Sequence, residues 1–274
     1  MDARKTIAGC RLCAGDHPTY KFSATIMDER QIDYFHCDGC GSLQTEEPVW
    51  LDQAYSLHLG SLDCGAVQRN LDNAGLCLLV AKMWGLRSAL DFGGGDGMLT
   101  RLVRDYGINC FVSDKYADPV YAQGFTNPDF DTPDMLFSFE VFEHFAHPAE
   151  QLDALFALRP AVLLASTGLY QDQGKDWSYL SLKSGRHVFF YSADAMRTIA
   201  RKYGYTVQHQ GQYILFVRAG VATGWRLPVF RAFARRKLLR LLRGYFLSRH
   251  PFGANRDLRR LKGELPLAPA ASAS

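Results

Sequence analysis

The run Leu90-Asp91-Phe92-Gly93-Gly94-Gly95-Asp96-Gly97-Met98-Leu99 constrains this chain more than any other stretch. A short apolar segment, residues 89–92, closes on an acidic residue. Glycines then turn the backbone, and an amphipathic segment begins at Gly97. Glycine has no Cβ, so such a turn can lie tightly against a ligand. A strand that turns into a helix in this way belongs at the carboxyl end of a strand in an open α/β sheet, where ligands bind.

The flanking sequence carries the matching rhythm. The pattern predicts a helix over 97–106, strands at 110–113, 135–139 and 162–166, and a helix over 149–158. Ser192 as N-cap, Asp194 in the first turn and Gly204 as stop predict a helix over 192–204. Residues 205–209 and 212–217 flank Gln210-Gly211, a hairpin that closes the sheet. Only residues 115–133 separate the second strand from the one at 135–139, so the strand between them is short and is expected at 121–125. The result is an α/β fold, a sheet with helices on both faces. The expected divisions are a cysteine segment over 1–48, the α/β domain over 51–220 with a helical lead-in at 51–86, a basic helical tail over 221–262, and a disordered end at 263–274. In the lead-in, Val67, Leu71, Leu78 and Leu79 form the apolar face.

With 274 residues, 47% of them apolar, the chain can hold one such domain and a small appendage. No run of about 18 apolar residues suggests a membrane-spanning helix. The first ten residues lack the apolar stretch of a secretory signal. Seven cysteines without such a signal point to a reducing cytoplasm. Cys10-x2-Cys13 and Cys37-x2-Cys40 are then metal ligands: two pairs supply four thiolates, filling every position of a tetrahedral zinc, or iron, site. A closed site leaves no room for substrate, so this metal is expected to be structural. Cys64, Cys77 and Cys110 read as core residues.

The glycine loop lacks the Lys of a phosphate-binding P-loop and the G-x-G-x-x-G spacing of a dinucleotide site. Its acidic residue suits a cationic ligand better than a pyrophosphate. S-adenosylmethionine (SAM), with an ammonium and a sulfonium, has that character. Asp114, at the tip of the second strand, is placed to accept ribose hydroxyls. The strand at 135–139 runs into Glu140, Glu143, His144 and His147, a candidate active-site rim.

These elements together resemble the class I SAM-dependent methyltransferases, over about residues 51–217. Residues 91–97 look like the family's first motif, Asp114 like its ribose-binding acid, and residues 140–144 like the E-x-x-E-H segment of its small-molecule branch. The resemblance implies a Rossmann-like sheet and a cofactor site made of Asp91, Gly93, Gly95, Gly97, Asp114, Phe139 and Glu140. Within it Gly93 and Gly95 approach the methionine part, and Phe139 and Glu140 lie near the sulfonium. The N-terminal segment is similar to that of uncharacterised methyltransferases found with bacterial surface-polysaccharide enzymes, and more distantly to zinc-bearing sugar C-methyltransferases.

Methyl transfer needs the acceptor held in line and its proton removed. The expected catalytic residues are His144 as base, Glu143 or Glu140 orienting it, and His187 as a second base. Tyr170, Trp177, Tyr179 and Arg186 suit a sugar ring and its phosphate, or a packed lid. The Asn/Asp-Pro-Pro-Tyr/Phe signature of nucleobase methylases is replaced by Ser-Phe-Glu-Val. The expected acceptor is therefore a sugar, nucleotide-sugar or lipid-linked glycan, and nucleic acid is not the expected partner. From Arg218 onward there are thirteen Lys and Arg against Asp257 and Glu264. On a helical wheel Phe230, Ala234, Leu238, Leu241, Leu242 and Tyr245 share one face. Such a tail either docks on its own domain, the favoured reading, or meets an anionic membrane, making the cytoplasmic protein membrane-peripheral. An alternative joins the zinc knuckle and the tail as an RNA grip, on a SAM fold that methylates RNA or is inactive.

Overall fold

Apolar and polar residues alternate on either side of Met27-Asp28-Glu29, and the stretch between the two cysteine pairs folds as a hairpin. It comprises β1 (Thr19–Ile26) and β2 (Arg30–His36). The computed structural model describes residues 7–56, 64–249 and 251–263. The expected disordered end lies outside the described residues beyond Gly263, as does the middle of the lead-in. After the hairpin come β3 (Leu43–Thr45), α1 (Leu51–Ser56), α2 (Ala66–Trp84), β4 (Ser88–Phe92), α3 (Met98–Asp105), β5 (Asn109–Ser113) and β6 (Met135–Phe139). Then follow α4 (Pro148–Ala157), β7 (Val162–Ser166), β8 (Phe189–Phe190), α5 (Ala193–Tyr203), β9 (Tyr205–Gln210) and β10 (Tyr213–Arg218). Three helices end the described chain, α6 (Arg226–Phe233), α7 (Arg236–Leu247) and α8 (Gly253–Leu261).

Two compact units are present. One comprises Met1–Asp63, Glu140–Ala157 and Ser166–Val207; the other comprises Cys64–Phe139, Leu158–Ala165 and Gln208–Ser274. In the first, the strands run β1-β2-β3-β8, and β8 adds to β3 through Leu43 opposite Phe190. Ile26, Ile32, Tyr34, Leu43, Trp50 and Phe190 form its apolar core. Arg11 ties the cysteine segment to the rest of this unit. Its guanidinium donates to the carbonyls of Thr45, Ala146 and Val188 at 2.8–3.1 Å. α5 starts as the sequence predicts: Ser192 Oγ accepts from Ala195 N at 2.9 Å, and Gly204 closes the helix in the left-handed region. None of β1, β2 and β3 was expected, because the cysteines and turn residues dominate the composition of that segment, and β8 was not expected either.

A six-stranded sheet, ordered β5-β4-β6-β7-β10-β9, forms the framework of the second unit. β4 lies parallel to both β5 and β6. The two-residue connection Gly211-Gln212 can only join antiparallel neighbours, so the sheet is mixed, an α/β architecture flanked by helices. From β4 the chain goes out to β5 and returns to β6 on the opposite side, which makes the carboxyl end of β4 a switch point. Leu76, Val80, Leu99, Val103, Phe137, Leu164 and Leu215 are fully or almost fully buried in one core.

Cys64 and Val67, expected in apolar settings, are exposed, and two further expectations are corrected here. Residues 121–125 make turns and no strand. Pro119, Pro128 and Pro133 withhold backbone donors on either side of this segment, and Gly124 sits at φ +82°. The segment still covers the sheet edge, since Phe125 O accepts from Val112 N at 2.9 Å. Ala122 and Phe125 pack on Phe111 and Val112. The single helical face from Phe230 to Tyr245 is also wrong. Arg235 is extended, with ψ 135°, and this break resets the helical phase. Phe230, Ala234, Leu239 and Leu242 are buried, whereas Leu241 and Tyr245 are exposed. The tail docks on its own unit, with Arg243 held by Asp72 at 2.9 Å. No described helix is long and apolar enough to cross a membrane.

Candidate functional site

Because β4, β5 and β6 run in register, Phe92, Ser113 and Phe139 finish at one edge of the sheet. The glycine loop leaves from this edge. Gly93 N donates to Ser113 O at 2.7 Å, tying the loop to the next strand. Gly95 N donates to Asp114 Oδ2 at 2.9 Å. Asp114 Oδ1 accepts from Tyr116 N and Ala117 N, so this carboxylate organises the loop tips. It keeps acceptor capacity for hydroxyls, because a carboxylate has about four lone-pair sites.

Asp91 is placed differently from a contact residue. Its carboxyl is buried under the loop and accepts from Thr100 Oγ1 at 3.0 Å. Burial pushes it up to about 7, against the Thr100 hydrogen bond. A Cβ on Gly94 would stand 2.6 Å from Asp91 Oδ2 and 2.7 Å from Val112 Cγ2. Only glycine allows the backbone to lie so close over that acid. A Cβ on Gly95 would meet nothing within 4 Å, so the loop is tight beneath and open above. That cradle fits a ligand whose amine is met by backbone and by the field of Asp91. Gly97, at φ +80°, starts α3, and Asp96 Oδ1 accepts from Met98 N. Phe139 is half-buried against Phe137 and Tyr213.

In the other unit a polar cluster gathers around Glu143. Glu140 has φ +55°, a conformation that costs a non-glycine residue energy and recurs at functional sites. Ser166 holds it there: Glu140 N donates to Ser166 O and Oγ, and Ser166 Oγ donates to Glu140 Oε1 at 2.5 Å. The chain then enters a short 3-10 turn, Phe142–His144. Glu143 is fully buried. Tyr179 Oη donates to its Oε1 at 2.7 Å, while Oε2 has no hydrogen-bond partner among the described residues. Burial first, then the nearby Glu140 charge, push Glu143 up to about 8.

His144 and His187 flank this acid with ring centroids 4.9 Å apart, edge to face. His144 Nδ1 lies 3.2 Å from Arg186 O, and His187 Nδ1 lies 2.7 Å from Tyr179 O. A carbonyl only accepts, so each Nδ1 carries the hydrogen and each Nε2 presents a lone pair. Burial pushes His144 down to about 3, helped by His187, and pushes His187 down to about 4. Both rings are neutral at pH 7. The structure thus brings together Glu143, His144 and His187, and adds Tyr179, which the sequence had marked for a different task. Trp177 packs between Tyr170 and Tyr179, with centroids at 6.1 and 5.3 Å. Arg186 donates through Nε to Ala54 O and lies over Tyr55.

The four-cysteine cluster lies in the same unit as this acid. Cys10 Sγ and Cys40 Sγ are 3.7 Å apart, and Cys13 Sγ and Cys37 Sγ 3.6 Å. All four sulfurs lie within 4.8 Å of one another. A tetrahedron with metal–sulfur bonds of about 2.3 Å has edges of about 3.8 Å, so the donor set fits a thiolate-bound metal. Among the described residues the cysteines form no disulfide.

A family model of methyltransferase domains matches residues 67–210, just over half of the chain. Among solved structures, the methyltransferase domain of a bacterial Hen1 is 20% identical and covers 54% of this chain and 98% of its own, with a TM-score of 0.42. An O-methyltransferase family protein from Burkholderia thailandensis is 17% identical, covering 55% of each chain, with a TM-score of 0.44. Magnesium protoporphyrin IX methyltransferase from Synechocystis PCC 6803, solved with SAM bound, is 17% identical over 60% of this chain and 85% of its own, with a TM-score of 0.41. No curated protein matches the chain.

Proposed function

The chain belongs to the methyltransferase-domain family and is a SAM-dependent methyltransferase, and from that premise we propose that its acceptor is a small molecule of sugar type. Free sugars, nucleotide-sugars and lipid-linked glycans are the expected forms. SAM, when bound, supplies a methyl group already activated by a sulfonium. We assign Asp91, Gly93, Gly95, Gly97, Asp114, Phe139 and Glu140 to its binding. Asp114 and the loop amides take the polar ends, and Asp91 acts through its charge from beneath. The α/β domain over 51–220 then carries this role, with the cysteine segment and the basic tail as appendages.

The observation that carries the acceptor reading is the bare, buried Glu143 Oε2. An unpartnered oxygen in such a place costs stability unless something donates to it. An acceptor hydroxyl would donate there, and its proton would pass to Glu143, His144 or His187 as the methyl is attacked. A compact buried group of this kind suits one hydroxyl on a small ring. The RNA reading is served instead by the exposed Arg236, Lys237 and Arg240. The test is incubation with methyl-labelled SAM and separated cell fractions. Label should enter a low-molecular-weight, sugar-containing fraction; label in RNA alone would overturn the reading.

We further infer that Cys10, Cys13, Cys37 and Cys40 hold a structural zinc. All four sulfurs lie within 4.8 Å of one another, the donor set that a metal would deprotonate on binding. The first turn of the knuckle leads into Arg11, so the metal steadies the segment that donates to Ala146 and Val188.

A further inference from the structure

We propose that Glu143, His144 and His187 form a second metal site, an open one, that binds a single divalent cation of the manganese, iron or zinc type. The proposal rests on the reading of this cluster as the acceptor end only for what the cation does there. The binding itself stands on geometry.

Each of the three side chains offers one donor atom, and these atoms lie within 4.8 Å of one another. A cation with bonds of about 2.1 Å sets its donors about 3.4 Å apart, so shifts of under about 1 Å close the site. Two details of the cluster are those of metal ligands. Both imidazoles give Nδ1–H to a backbone carbonyl, the outer contact that fixes the tautomer and turns Nε2 toward a metal. Glu143 is anchored by Tyr179 through Oε1 and leaves the buried Oε2 without a partner.

Two imidazoles and one carboxylate select borderline divalent ions over calcium or magnesium. They also leave positions open, unlike the four-thiolate centre of the same chain, which is closed. With the cation bound, Glu143, His144 and His187 would be its ligands and no longer the proton acceptors: an oxygen of the acceptor would take an open position in place of its hydrogen bond to Oε2, and its proton, made easier to release, would pass to water.

The experiment is a titration of the full chain with Mn2+ alone, followed by the loss of the free Mn2+ paramagnetic resonance signal, with zinc content measured on the same samples. Mn2+ is chosen because thiolates bind it weakly. The expected result is one bound Mn2+ per chain beside one zinc. Glu143→Gln and His187→Ala should each weaken Mn2+ at least tenfold while zinc stays at one. Pulsed resonance on the unaltered protein should show nitrogen coupling from imidazole, which keeps the test valid if a variant misfolds. Absence of bound Mn2+, or of nitrogen coupling, overturns the site. SAM binding and methyl transfer are measured separately on the same samples. Transfer that proceeds fully in a chelator without Mn2+ binding sinks the cation site and leaves the methyltransferase reading intact. Mn2+ binding without transfer to any sugar-type acceptor does the reverse.

Discussion

Glu143→Gln is expected to lower turnover by a factor of about 10²–10⁴, the range for losing a positioned acid–base group, while SAM affinity changes little. The substitution keeps the shape of the side chain and the bond from Tyr179. It replaces an oxygen that can take a proton by an amide that cannot. His144→Ala should act alike, because its ring belongs to the same cluster. Initial rates and SAM equilibrium binding, measured on the same preparations, separate the two effects. Unchanged turnover in both variants would remove these residues from the chemistry. A loss of SAM affinity equal to the loss of rate would instead show that the substitutions had damaged the fold.

The second large effect concerns stability. Asp257→Ala is expected to destabilise the protein by about 3–5 kcal/mol, the cost of leaving a buried charge without its partner. Arg104 is fully buried and grips Asp257 with two bonds of 2.7 Å, while Arg101 adds a third at 2.7 Å. The Arg104 guanidinium also lies 3.6 Å above the Phe125 ring. These contacts seat α8 on α3, the helix that starts at Gly97, so the effect reaches the glycine loop. Burial works against the Asp257 charge, but the arginines win and its pKa lies below the ordinary value. A carboxylate depressed in this way stabilises the fold above its unfolded pKa, about 3.9. That contribution disappears as the pH falls through the lower, folded value. Denaturant unfolding should therefore show stability falling below about pH 4, with the loss blunted in Asp257→Asn. An unchanged midpoint at pH 7 in Asp257→Ala would contradict the assignment.

Much of the α/β pattern was legible because each local signal agreed with its neighbours. Strands β6 and β7 fall at the residues expected, and Ser192 and Gly204 bound α5 because cap chemistry is local. The paired cysteines were legible by spacing alone. What escaped was set by distant contacts. β8 is two residues of a buried aromatic run, and only its pairing with β3 makes it a strand. Tyr179 was read as a pocket residue, yet its hydroxyl serves an acid 36 positions earlier. The basic tail looked like one amphipathic helix seeking an anionic partner. Its face is broken at Arg235, and Asp257, one of only two acids in that stretch, is the residue that docks it. No periodicity could reveal that Asp257 meets Arg104, because the pairing spans 153 residues.

The proposed placement of SAM on the glycine loop underlies all of this, and Gly94 gives its most direct test. Equilibrium dialysis of methyl-labelled SAM should give one SAM per unaltered chain. Gly94→Ala, whose added carbon would strike Asp91 and Val112 at 2.6–2.7 Å, should bind at least tenfold more weakly, by the measure that about 1.4 kcal/mol is tenfold. Equal affinity in a folded Gly94→Ala protein, or no SAM bound by the unaltered chain, would contradict the account.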